Sequence, residues 1–363
     1  MTVRLRSRSV VVTRHGGPDV LELVERDVPE PGPGEVRVRV LAAGVSAFDL
    51  MYRRWAHLPG SPSLPFALGE DVVGVVDEVG PGVTEVAPGL VVAAGTWDLG
   101  VGGGYAEHVC LPSDQLVPVP DGVDPAEAVC LVVNYLTAHH HLHRIGRATR
   151  GERLLVHGAA GGVGTALVQL GVLAGLDVYG TASTDHRQLV ADLGATPIDY
   201  RTEDFVARIR ALTGDGVDIV VDTVGGAAHL WRSHRVLRRG GRLVWLGSAA
   251  VEEQGLRAGV LSAAVTALLR VAPGGRRAPK CPITAELATA DNAWYRHTLA
   301  ALLDSLAAGE IRPVIAARIP LAEAARAHEL MEHGRHAGKV VLVTRDRDAT
   351  GADRADDAEE HAG

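Results

Sequence analysis

Positive charge, cysteine and long apolar runs are what this chain has least of. Among its 363 residues, 36 Lys and Arg stand against 44 Asp and Glu, a formal net charge of −8. That balance argues against nucleic acid as a main partner. Only three cysteines occur, Cys110, Cys130 and Cys281, and they are scattered. They give no disulfide framework and fit a reducing compartment, so a cytoplasmic location is expected. No apolar run reaches membrane-spanning length, so no membrane partner is expected. The start, "MTVRLRSRSVVVT", is basic but lacks the apolar core of a secretory signal. It reads as a frayed end leading into a strand.

What is present is ordinary globular material, 47% hydrophobic and 22% charged. The length exceeds what one hydrophobic core usually serves, so more than one domain is expected. The tail at 347–363 is polar and charged and reads as disordered.

The most informative stretch is "RLLVHGAAGGVGTALVQLG", Arg153 to Gly171. Leu154 to His157 reads as the end of a buried strand. Val163 to Leu173 reads as a helix with Val163, Leu167, Leu170 and Val172 on its inner face. A strand, a glycine turn and a helix form the phosphate-binding start of a dinucleotide fold. Glycine lets the backbone approach a pyrophosphate, and the helix start offers free N–H groups. Ala160, Gly161, Gly162 and Val163 are the expected cradle, and a side chain at Gly162 is expected to project at the pyrophosphate. The six-residue fingerprint falls on Ala159, Gly161 and Gly164, with alanine in its first place.

The following segments support the same reading. Strands "LDVYGTAS", "TPIDY", "GVDIVVDTVGG" and "GRLVWLGS" alternate with helices near 185–193, 204–212 and 227–237. Such alternation predicts an α/β doubly wound parallel sheet of Rossmann type. Val224, Gly247 and Ser248 fall after strands, where a ligand lies in an open sheet. The second strand ends on Ala182 and Ser183 with no carboxylate to grip a ribose hydroxyl. Asp185 is the rival, but it suits the start of the next helix. Ser183 and Arg187 could hold a 2′-phosphate, which favours NADPH.

Residues 10–120 read differently. Short strands such as "EVRVRVLAAGV" and "DVVGVVDEVG" are separated by Pro- and Gly-rich turns. This is a β-rich unit, and the chain returns to it near its end.

The pieces "AGVSAFDLMYR", "ALGEDVVGVVDEVG", "GGYAEHV", "NYLTAHHHLHR", "GERLLVHGAAGGVG" and "HAGKVVLV" run collinearly over about residues 10–345. In that order they resemble the zinc-independent medium-chain dehydrogenase/reductases, the quinone oxidoreductase (zeta-crystallin-like) group. The resemblance implies a GroES-like substrate domain at 1–128, a Rossmann domain at 129–290 and a return to the substrate domain at 291–346. It implies an active site in the cleft between them, NADPH, a small-molecule quinone or enone as substrate, and a homodimer. It also places Asn134 and Thr137 near the nicotinamide and Tyr200 at the adenosine end.

Zinc-dependent relatives hold their catalytic metal through Cys and His. Here Ser46 and Glu70 stand at the matching places, and three scattered cysteines cannot build a four-cysteine lobe. His139 and His143 are spaced i,i+4 but read as a polar helix side, so no metal is expected. The candidate proton donors are Ser46, where the family often has Asn, and Tyr52, one place after Met51, where it often has Tyr. No side chain is read as an essential general acid. Asp49 reads as a helix-start residue, and 254–283 as ordinary helical core, with a cover for the substrate cleft or a dimer surface as the alternatives. The chief alternative is an NADPH-binding scaffold or sensor with little turnover.

Overall fold

The computed structural model describes residues 6–55, 63–97, 103–246, 255–272, 274–281, 284–334 and 336–344. Gly247, Ser248 and the 347–363 tail lie outside the described residues.

The first unit is β-rich, as its Pro/Gly punctuation suggests. Strands β1 (Arg6–Val12), β2 (Leu21–Asp27) and β4 (Phe66–Ala67) form a three-stranded sheet. A second sheet is built around β3 (Glu35–Val45), which pairs antiparallel with β5 (Asp71–Val79) and with β7 (His108–Pro112). Strands β6 (Val91–Gly95) and β8 (Val117–Pro118) extend it. Along β3 the side chains alternate, with Val36, Val38 and Val40 buried and Arg37 and Arg39 partly exposed. That period-2 pattern puts one face on a core of valines shared with Leu68 and Leu111.

The second unit is a parallel sheet in the order β11-β10-β9-β12-β13. Its strands are β9 (Arg153–His157), β10 (Asp177–Ala182), β11 (Thr196–Asp199), β12 (Val217–Asp222) and β13 (Leu237–Trp245). Leu154 and Val156 face one core while Leu155 faces another, so helices cover both sides. The strand order reverses at β9, between β10 and β12, which makes its carboxyl end the switch point where ligands lie.

Two local expectations are corrected. In the helix Gly162–Leu173, Val172 is exposed and Val168 is buried instead. The helix at Ala227–Arg235 ends before Leu237, which already belongs to β13.

The chain then returns. Strand β15 (Lys339–Val343) pairs with β3, and β14 (Ile315–Pro320) lies outside it. This return is pinned by a fully buried ion pair, Lys339 Nζ to Asp71 Oδ2 at 2.7 Å. Burial alone would lower the ammonium pKa, but the Asp71 carboxylate reverses this and raises it, while burial raises that of Asp71 itself. Gly44 leaves the space that the Lys339 stem and Asp71 occupy.

Breaking that pair strands a charge in the core. Lys339→Met should cost about 3–5 kcal/mol of unfolding free energy in a denaturant titration. Adding Asp71→Leu should recover most of the loss, because no lone charge remains. A single variant as stable as the wild type would contradict this role.

Candidate active site

The glycine turn opens the site. The N-terminus of the helix Gly162–Leu173 is capped by Gly161 without a side-chain bond, so its first amides face outward. Gly158 sits at φ +68°, a region that favours glycine, and begins the turn. Gly164 lets the helix lie directly on the Gly158 carbonyl, where a Cβ would clash. An added Cβ at Gly161 would meet only the Gly158 carbonyl oxygen, at 3.4 Å. Gly162 corrects the expectation: its Cβ would meet the Asn134 side-chain amide, not open space above the turn. Asn134 therefore fills the room that this glycine leaves.

Asn134 is presented by an unusual helical run. Helix Pro125–Cys130 passes through a π-helical turn, Leu131–Tyr135, and a second one at His140–Ile145. The wide turn carries Asn134, which is buried, toward the glycine turn.

Between the two units lies a cavity of about 280 Å³. Ser46, Asn134, Thr137, Gly162 and Val163 line it, so the structure brings these expected residues together. Phe48, Trp97, Val133, Leu246 and Met331 supply apolar wall. Tyr52 is corrected: it is not among the lining residues and packs against the first unit's core. The physical reason is its helix. In Ala47–Arg54, Phe48 faces the cavity, and Tyr52, one turn on, stacks on Phe48 at 6.4 Å.

Ser46 does two things. It caps that helix, accepting from the Asp49 amide, while Asp49 Oδ2 accepts from the Ser46 amide at 2.7 Å. Asp49 is thus the helix-start residue expected. The Ser46 hydroxyl also donates to Glu70 Oε2 at 2.8 Å. Glu70 lines the cavity, and burial together with the nearby Asp49 charge pushes its pKa up to about 8. A carboxyl shifted in this way holds its proton to higher pH than an ordinary glutamate. The residue reading assigned Glu70 only a place in a metal comparison. Its signal was the acidic pair "ED" at the head of the buried run "VVGVV".

His141 and Cys281 also line the cavity and were not anticipated. The His141 Nδ1–H donates to the Thr137 carbonyl at 2.8 Å, and burial holds its pKa down to about 4. Burial raises the Cys281 thiol to about 11, so it stays protonated. His139 and His143 stack at 4.6 Å along the helix, and burial lowers both pKa values.

At the second strand's end, Ser183 is buried and near His186 Nδ1 at 3.3 Å, and Arg187 is exposed. Asp185 is exposed and 4.0 Å from Arg201. One carboxylate does lie beside this strand end. Asp199 opposes Ala182 in the register and accepts from Thr184 Oγ1 at 2.6 Å and the Arg201 amide at 3.0 Å. Those bonds tie it to the loop. Tyr200 is 56% exposed, so its ring is free to face a ligand rather than buried at the strand end. Val224 sits over the turn, its amide donating to Asp222 Oδ1 at 3.0 Å.

Behind the switch point, His157, Asp222 and His229 hold ligand-type atoms within 4.8 Å of one another. Ser233 joins them, donating to Asp222 Oδ2 at 2.9 Å and lying 3.1 Å from His157 Nε2. Thr181 Oγ1 lies 3.1 Å from His157 Nδ1, so both ring nitrogens are engaged inside the fold.

The apolar segment after residue 254 departs from the ordinary-core reading. Helix Leu256–Leu269 buries Ala258, Ser262, Thr266 and Leu269 but exposes Val260, Leu261, Leu268 and, beyond its end, Val271. It is apolar nearly all round, while only one side is covered.

Comparison with known proteins agrees with this architecture. The alcohol dehydrogenase GroES-like domain model matches residues 32–121, and the zinc-binding dehydrogenase model matches residues 193–342. The rat synaptic vesicle membrane protein VAT-1 homolog is 38% identical over 246 residues, 67% of this chain and 59% of that protein. Mouse quinone oxidoreductase is 31% identical over 344 residues, 93% of this chain and 97% of that protein. A mycobacterial protein solved in complex with NADPH superposes with a TM-score of 0.77 at 32% identity, covering 93% of this chain and 99% of that one. With a GroES-like unit, a parallel dinucleotide sheet and a quinone oxidoreductase matched over 97% of its length, the chain belongs to the medium-chain dehydrogenase/reductase family, alongside the quinone oxidoreductases.

Proposed function

We propose that this protein is an NADPH-dependent reductase of electron-poor conjugated substrates, quinones and α,β-unsaturated carbonyl compounds, working without zinc. One observation carries the reading: the glycine turn, Asn134, an apolar wall and the Glu70 carboxyl, its pKa raised, share one cavity. When bound, the reduced nicotinamide supplies a hydride to an electron-poor carbon.

The chain's own residues do the rest. The amides at the start of the helix Gly162–Leu173 hold the pyrophosphate, and Asn134 and Thr137 orient the ring carrying the reacting carbon. Ser183 and Arg187 take the 2′-phosphate. Phe48, Trp97 and Met331 exclude water and fit a flat apolar substrate. Glu70 is the proton donor, positioned by Ser46; this replaces the expectation that no side chain is an essential acid, and Tyr52 as its candidate. Protonation completes reduction of an alkene at carbon, while a quinol oxygen can take its proton from solvent.

Zinc does not fit this donor set. The residues at the metal-matching places are a hydroxyl and a carboxyl hydrogen-bonded to each other. Cys130 is buried and its thiol donates to the Ala126 carbonyl at 3.2 Å. A catalytic zinc is held mainly by thiolate and imidazole. We propose a homodimer as the assembly, with the exposed apolar side of the helix Leu256–Leu269 available to it.

Cofactor choice is tested at Arg187. Arg187→Ala should weaken NADPH binding by about 1.5–3 kcal/mol, the value of a lost charge-assisted bond, and leave NADH binding nearly unchanged. Titration of both cofactors by fluorescence decides it, and equal losses would reject the 2′-phosphate assignment.

The acid is tested at Glu70. A carboxyl with a pKa near 8 donates below that pH, so enone turnover should hold at lower pH and fall as pH rises through about 8. Glu70→Gln keeps the shape but cannot give up a proton. It should cut enone kcat by about 10²–10⁴-fold, abolish the alkaline limb and lower quinone kcat by less than about tenfold. An unchanged enone profile would remove Glu70 from the mechanism.

A further inference from the structure

The amino ends of the parallel strands, opposite the glycine turn, border a second concavity, of about 790 Å³. It lies where β9 begins, bounded by Glu152, and next to Arg242 of β13, whose register partner is Ile219 near the start of β12. Its chemistry is unlike the rest of this acidic chain. Arg144, Arg147, Arg242, Arg270, Arg277 and Lys280 converge on it.

Two of the six cations are neutralised. Arg242 makes a two-pronged pair with Glu152, at 2.8 and 2.6 Å, and Arg144 reaches Asp291 at 3.1 Å. The other four have no carboxylate partner among the described residues. The Arg270 Nε–H donates only to the Ala278 carbonyl, at 3.1 Å. Arg147, Arg277 and Lys280 are exposed.

The site is also built rather than loose. Arg242 donates to the carbonyls of Gly146 and Arg147, fixing the loop that bears Arg147. Arg147 sits at φ +46°, and among the described residues it is the sole non-glycine in the left-handed region. A strained, clamped arginine is held in place by its surroundings. The Arg277 segment is locked to β13: its amide donates to the Gly241 carbonyl at 2.9 Å, and its carbonyl accepts from the Leu243 amide at 2.8 Å. Ile145 and Leu287 supply a small apolar floor.

We propose that this groove is a second ligand site, separate from the reductase cleft, that takes a molecule bearing two or more phosphate groups. Guanidinium forks match phosphate oxygens in pairs, and four cations lacking carboxylates exceed what one phosphate needs. The volume suits a phosphorylated organic molecule, whose source is a soluble polyphosphate compound or an anionic lipid headgroup. The site does not depend on the reductase reading.

The test uses the whole protein with NADPH at saturation, so that the glycine turn is filled. Calorimetric titration with inorganic tripolyphosphate should show binding that weakens as salt rises. A second arm measures sedimentation with phosphatidylcholine vesicles containing phosphatidylinositol 4,5-bisphosphate. Arg147→Gln, Arg277→Gln and Lys280→Gln combined should weaken whichever binding occurs by at least tenfold. These are exposed positions, so the thermal midpoint and NADPH affinity should stay unchanged. Tripolyphosphate binding alone identifies a soluble ligand, and vesicle binding alone a headgroup; either supports the site if the triple variant loses it. Binding in neither arm, or equal binding by the triple variant, would overturn the proposal.

Discussion

The dipeptide Gly338–Lys339 holds the cleft together. The Gly338 amide donates to the Ala160 carbonyl at 2.9 Å, joining the returning chain to the glycine turn. The next residue sends its ammonium into the first unit to meet Asp71. Gly338 is at φ +82°, and a Cβ there would strike the Val314 carbonyl. The junction adds to a core that the two units share, in which Ala42, Val73 and Ala93 join Val129 and Leu131. With it, the turn and Glu70 bound one cavity.

That junction also sets the electrostatics. Asp49, Glu70 and Asp71 crowd the floor of the cleft with one cation, Lys339, among them. The cation pairs with Asp71, and Asp49 spends its oxygens on the amides of Ser46 and Gly69. Glu70 is left with a single hydroxyl donor, and the least solvated way to hold it is neutral. A partly buried carboxyl of raised pKa beside an apolar cavity is a group that can give a proton near physiological pH.

Much of this was legible in the residues. The glycines between Gly158 and Gly164, flanked by a three-residue apolar run and a helix, specify a dinucleotide turn because few other structures need that clearance. The alternating segments after it specify the parallel sheet. Ser46, Asn134, Thr137 and Val163 were named from motifs and meet at the cavity. Local pattern could not show which neighbour a side chain would press on, so Gly162 was aimed at the pyrophosphate when it borders Asn134. Nor could it show that Glu70, His141 and Cys281, from three distant segments, line one cavity. Tyr52 failed by one helical turn, since its neighbour Phe48 takes the cavity side. The helix after residue 255 was read as core because its composition is apolar all round, and composition does not say how many sides are covered.

The central claim is that the cleft moves a hydride from NADPH onto a conjugated substrate. NADPH deuterated at nicotinamide C4, incubated with the protein and an α,β-unsaturated ketone, tests it most directly. Mass spectrometry of the product should find one deuterium at the β-carbon for each cofactor oxidised when the label is on the transferred face, and none from the opposite face. Reduced product without deuterium from either face, or no cofactor oxidation across quinones and enones alike, would contradict the account.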